Sequence, residues 1–131
     1  MLYAIVFIGA GIGGALRHGV NGLALRLAGP DFPFGTMAIN IVGSLAMGLI
    51  AGYFAYRGGT GLFGQLGQHW RLFITTGVLG GFTTFSAFSL DFAALWERGA
   101  MLPAAAYVVV SVGGSLAAVF VALALARAVF S

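Results

Sequence analysis

The stretch Gly77-Val78-Leu79-Gly80-Gly81-Phe82-Thr83-Thr84-Phe85-Ser86-Ala87-Phe88-Ser89 lies inside a long apolar segment and contains what such a segment should avoid. Three glycines in five positions weaken a helix, each by about 1 kcal/mol relative to alanine. Hydroxyls crowd the next turn, at Thr83, Thr84, Ser86 and Ser89. Phe82, Phe85 and Phe88 recur at helical spacing, which sets their rings on roughly one face. Non-helical backbone survives at membrane depth only when buried in protein or facing a cavity. The pattern therefore predicts a helix broken at Gly80-Gly81 beside an ion path. Unwinding there frees carbonyl oxygens, which coordinate cations such as Na+ in other broken membrane helices.

The rest of the chain supplies the membrane setting. Of its 131 residues 60% are hydrophobic and only 7% charged, with a mean hydropathy of +1.04. A soluble domain carries about 25% charged residues. The composition is that of an integral membrane protein. A helix crosses the hydrocarbon core with about 20 apolar residues, and four windows qualify: 2–27, 34–56, 72–95 and 103–130. Short connections (28–33, 57–71 and 96–102) predict one all-α domain over residues 1–131, a bundle of four transmembrane helices. Pro33 and Pro103 stand at helix starts. Tyr53, Tyr56, Trp70 and Trp96 fall near span ends, as interfacial aromatics do. No cation precedes the first apolar run, which continues past Arg17 to Leu27; that suits a retained helix better than a cleaved signal.

The absence of cysteine excludes disulfides and thiolate chemistry. Six arginines scattered singly form no basic stripe for nucleic acid. They also give little orientation signal. Arg57, Arg71 and Arg127 fall at one end of the bundle, Arg26 and Arg98 at the other, and lysine or arginine bias normally sets orientation. Insertion in both orientations, allowing an antiparallel pair, and a single orientation set by weak cues both remain open. Small residues in Gly9-x-x-x-Gly13, Ser44-x-x-x-Gly48-x-x-x-Gly52 and Gly77-x-x-x-Gly81 permit close helix approach and self-association.

Charged or polar residues within spans are the functional candidates. Arg17 either draws anions toward an entrance or snorkels to the headgroups, and His18 is either a packed imidazole or a ligand. Asp91 either caps a helix or pairs with an arginine. Asn40 lies in the second span with Ser44 one turn on, and Tyr107, Ser111 and Ser115 make an i, i+4, i+8 stripe in the fourth. With Thr84 and Ser89 they form a polar track of donors, without a lysine or an interior carboxylate pair. Aromatic rings have positive edges, so Phe85 and Phe88 suit a small anion that has shed its water. No nucleophile–base pair is present, and no enzyme is predicted.

Gly80-Gly81-Phe82-Thr83-Thr84-Phe85-Ser86-Ala87-Phe88-Ser89 closely resembles the central signature of the CrcB/Fluc fluoride channels. The segment from Gly35 to Ser44 resembles that family's second-helix motif, Gly13-Gly14-Ala15-Leu16-Arg17 its first-helix element, and Tyr107-x-x-x-Ser111 its fourth-helix pair. The resemblance implies passive, fluoride-selective export from the cytoplasm across the inner cell membrane by an antiparallel, dual-topology homodimer. It implies a structural Na+ at the dimer centre, held by the carbonyls of Gly80 and Thr83. It gives Phe85, Phe88 and Asn40 as fluoride contacts, Thr84, Ser89, Tyr107 and Ser111 as polar track, and Arg17 as vestibule. Ala87 departs from the threonine often found there. The main rival, a small multidrug exporter, needs a carboxylate in the first helix, which is lacking. A membrane scaffold held by glycine faces leaves the polar set unexplained.

Overall fold

The computed structural model describes residues 1–57 and 64–131. The described chain is helical, with no strand: α1 (Leu2–Ala28), α2 (Phe34–Arg57), α3 (Gly64–Leu72), a π-helical segment (Phe73–Leu79), α4 (Gly80–Phe82), α5 (Phe85–Glu97) and α6 (Met101–Phe130). Four stretches are long and apolar enough to cross a membrane, namely Leu2–Ala28, Phe34–Arg57, Gly67–Glu97 and Met101–Phe130. The hydropathy windows found all four. The third begins earlier than predicted, because α3 occupies the second half of the expected 57–71 connection; positions 58–63 of that connection lie outside the described residues. Pro103 falls in the first turn of α6, where its missing N–H is harmless.

Close packing follows the small residues. The most extensive pairing joins α2 to α6, where Gly48 meets Ala122 and Gly52 meets Ala126. Helix α1 packs instead on the π segment and α4. Gly13 is required there: a Cβ at this position would collide with the Val78 carbonyl oxygen. Gly9 meets Gly77 and Gly81 meets Ala10 in the same seam. Helix α5 turns away and packs on α6 and Tyr107. The third span thus changes partners halfway.

The change occurs at Thr83 and Thr84, whose backbones are extended (φ −76°, ψ 156° and φ −154°, ψ 120°). The sequence placed the interruption at Gly80-Gly81, and this is corrected. Gly80 is right-handed helical (φ −62°, ψ −39°), and both glycines lie in α4. Helical Gly81 is held against the α1 backbone, so the glycines serve close approach at these positions. At one end of the bundle Arg98 donates to the Asp31 carbonyl (3.1 Å), tying the α1–α2 connection to that between α5 and α6. At the other, Arg127 donates to the Tyr56 hydroxyl (3.2 Å) and Arg57 to the Phe130 carbonyl (3.1 Å).

Candidate functional site

The interruption is built by two sets of hydrogen bonds. Thr83 ends α4 with both its N–H and its hydroxyl donating to the Leu79 carbonyl (3.0 and 2.9 Å). Its methyl lies against Gly43 of α2, so closely that a Cβ on Gly43 would overlap it. Thr84 starts α5 as an N-cap, its hydroxyl oxygen accepting from Ala87 N–H at 3.2 Å, the role for which threonine is favoured. Asn40 of α2 reaches across to the same residue. Its Oδ1 accepts from Thr84 N–H (2.9 Å), and its Nδ2 donates to the Thr84 carbonyl (3.0 Å).

A continuous helix bonds each N–H to the carbonyl four residues earlier. Thr84 N–H would go to Gly80 and Ala87 N–H to Thr83. Both are diverted, the first to Asn40 and the second to Thr84 Oγ1. The carbonyls left without their helical donors include those of Gly80 and Thr83. No group of three or more His, Asp or Glu side chains gathers among the described residues, so backbone oxygens are the donor set on offer at the interruption. Their chemistry fits a hard monovalent cation.

Beside the interruption lies a lateral groove of about 410 Å³. Asn40, Ser44, Thr83, Thr84, Phe85, Phe88, Ser111 and Ser115 line it, with Met47, Val112, Leu116 and Val119. The Ser111 and Ser115 hydroxyls are buried without a hydrogen-bond partner. Phe85 projects outward, 77% exposed, and its ring sits 5.4 Å from that of Phe88, which in turn lies 5.1 Å from Tyr107. The aromatic series continues through Phe32, 5.7 Å from Tyr107 and perpendicular to it.

The structure thus brings Asn40, Thr83, Thr84, Phe85, Phe88 and Ser111 together, and sets the other candidates elsewhere. Ser89 donates to the Phe85 carbonyl at 3.0 Å, away from the groove lining. Arg17 sits on α1, which contributes no residue to the groove. Gly80 is exposed on the outer face. Tyr107 is fully buried behind Phe88, its hydroxyl 3.0 Å from Asp91 Oδ2. Beyond it is a second cavity of about 310 Å³, with Asn21, Thr36, Ala87 and Asp91 among its lining residues. Tyr107 lines neither space, but touches Phe88 of the groove and Phe32 and Asp91 of the cavity. Asp91, left undecided by the sequence, meets this phenol. Thr36 and Asn21 were missed. Thr36, Asn40 and Ser44 share the i, i+4, i+8 spacing already seen on α6, and that stripe was the signal for Thr36.

These features define a four-span helical membrane protein with a groove, lined by hydroxyls and phenylalanine rings, beside its third span. Residues 4–123 match the model of the family described as CrcB-like protein, Camphor Resistance (CrcB). The chain belongs to the CrcB family. It is 60% identical over 123 residues to a "Fluoride-specific ion channel FluC" of Methylobacterium nodulans, covering 94% of each chain. To the protein of the same name from Mesorhizobium japonicum it is 58% identical, again over 94% of each. A third, from Rhodopseudomonas palustris, is 54% identical over 129 residues, 98% of this chain and 99% of its own.

Proposed function

We propose that this protein is a fluoride channel rather than an enzyme, passing the ion passively out of the cytoplasm. The observation that carries the reading is the pair of buried, unpartnered hydroxyls, Ser111 and Ser115, in a groove walled by Phe85 and Phe88. A buried hydroxyl without a partner costs about 1–3 kcal/mol, so such a pair calls for an acceptor that comes and goes. Fluoride is small and accepts strong hydrogen bonds, and the names of the relatives support it over other anions.

Na+ is held at the interruption by the Gly80 and Thr83 carbonyls, supported by the diversion of their helical donors to other acceptors. When bound it supplies a fixed positive charge beside the anion path. Two copies pair, supported by the exposure of Gly80 and Phe85, and do so antiparallel, supported by the near balance of arginines between the two ends. Asn40, Thr84, Phe85, Phe88 and Ser111 contribute to the path where they line the groove, Ser89 and Tyr107 to stretches outside it, and Arg17 to its entrance. The setting is the inner cell membrane.

Flux from fluoride-loaded liposomes tests this, followed with a fluoride electrode and with chloride as control. The expected result is fluoride efflux without chloride efflux and without a proton gradient. Absence of fluoride flux, or a requirement for a proton gradient, overturns the reading.

A further inference from the structure

The carbonyls assigned to Na+ belong to α4 and the interruption, but what keeps them free sits on another helix. Asn40 makes two hydrogen bonds to one residue, Thr84, 44 positions away. The bond from Thr84 N–H to Asn40 Oδ1 takes the proton that would otherwise close on the Gly80 carbonyl. The bond from Asn40 Nδ2 fixes the Thr84 carbonyl as well, so both ends of this residue are held extended. The Thr84 cap frees the Thr83 carbonyl by taking the Ala87 N–H. By itself it leaves the Gly80 carbonyl to be reclaimed by Thr84 N–H.

The helix behind Asn40 is well fixed. Ile39 is fully buried, and Gly43, one turn further, carries the Thr83 methyl against its backbone. Thus α2 presents a firm edge along which Thr83 and Thr84 lie like a short added strand. One side chain does what sheet pairing does elsewhere.

We infer that Asn40 is the positioning residue of the cation site: by holding Thr84 extended, it keeps the Thr84 N–H from closing on the Gly80 carbonyl and holds the Thr84 cap where it frees the Thr83 carbonyl, leaving both oxygens available to Na+. This rests on the Na+ reading given above. Because Asn40 also lines the groove, cation site and anion path are joined through a single side chain.

The experiment compares the purified wild-type protein with Asn40→Ala and Ile39→Ala by thermal melting, with Na+ titrated against N-methylglucamine. A ligand bound only by the folded state raises its melting temperature. Asn40→Ala is expected to raise the Na+ concentration for half-maximal effect about tenfold or more, the scale of a single lost hydrogen bond. Ile39→Ala removes neighbouring core volume, lowering the melting temperature without moving the Na+ midpoint. In parallel, carbon NMR of threonine-labelled protein without Na+ reads the backbone directly. Thr83 and Thr84 should give extended shifts in the wild type and move toward helical values in Asn40→Ala. If wild-type melting ignores Na+ while those shifts still move, the cation reading fails and Asn40 stands as the residue holding the interruption. Unchanged threonine shifts in Asn40→Ala, or an equal Na+ shift in Ile39→Ala, overturn the inference.

Discussion

Ser111 and Tyr107 lie one turn apart on α6 and carry opposite expectations. The Ser111 hydroxyl is buried and unpartnered, so it contributes nothing to holding the fold. Replacing such a group by an apolar one of similar shape is nearly neutral or stabilising. Ser111→Ala should therefore melt at or slightly above the wild-type temperature. If the hydroxyl binds the passing ion, the same change removes a charge-assisted bond of about 1.5–3 kcal/mol and cuts fluoride flux roughly 10–100-fold. Flux lost at unchanged stability is the diagnostic result; equal flux removes Ser111 from the path. Tyr107→Phe runs the other way for stability. The ring contacts to Phe88 and Phe32 survive, but the bond to Asp91 is lost. Membrane side-chain bonds average about 0.6 kcal/mol, so a small fall in melting temperature is expected. No fall would mean that Asp91 finds another donor.

The third span shows which elements were legible in the sequence and which were not. Its existence follows from hydropathy, which is a sum over the span's own residues. The position of its interruption does not, because it is set from outside the span. Glycine weakens a helix by itself, and that signal pointed to Gly80-Gly81. The actual interruption lies at Thr83 and Thr84, where Asn40 and Gly43 of α2 meet the span. The π segment is invisible for a similar reason: it sits where Gly77 meets Gly9 and Val78 meets Gly13 of α1. Much of the groove was readable, since Asn40, Thr84, Phe85, Phe88 and Ser111 stood out as polar or aromatic groups at helical spacing. The direct hold of Asn40 on the backbone was not. The α1 seam gives a prediction at this scale. A methyl at Gly13 collides with the Val78 carbonyl, whereas one at Gly22 meets nothing within 4 Å. Gly13→Ala should lower the melting temperature by several degrees or prevent folding, while Gly22→Ala should be neutral or gain up to about 1 kcal/mol of helix propensity. Similar behaviour of the two variants would show that this seam does not govern stability.

A single copy leaves its groove unfinished. Phe85, which lines the groove, is 77% exposed, Gly80 outside that lining is exposed as well, and the groove is open. Facing hydrocarbon, that opening would set polar side chains and free carbonyls against lipid, which membrane proteins avoid. In the proposed pair a second copy would cover this face. Relative orientation then depends on how each copy inserts. Arg57, Arg71 and Arg127 at one end stand against Arg26 and Arg98 at the other, a bias that gives little orientation signal. The proposed antiparallel pair needs both directions in comparable amounts. Tyr3 is 93% exposed at the start of α1, and the chain has no cysteine of its own, so Tyr3→Cys reports on one end of the bundle alone. A membrane-impermeant thiol reagent, applied to sealed inner-membrane vesicles of one orientation, should label about half of the molecules, the rest reacting only after the membrane is opened. Labelling that is complete or absent before opening would mean a single orientation and would exclude the antiparallel pair.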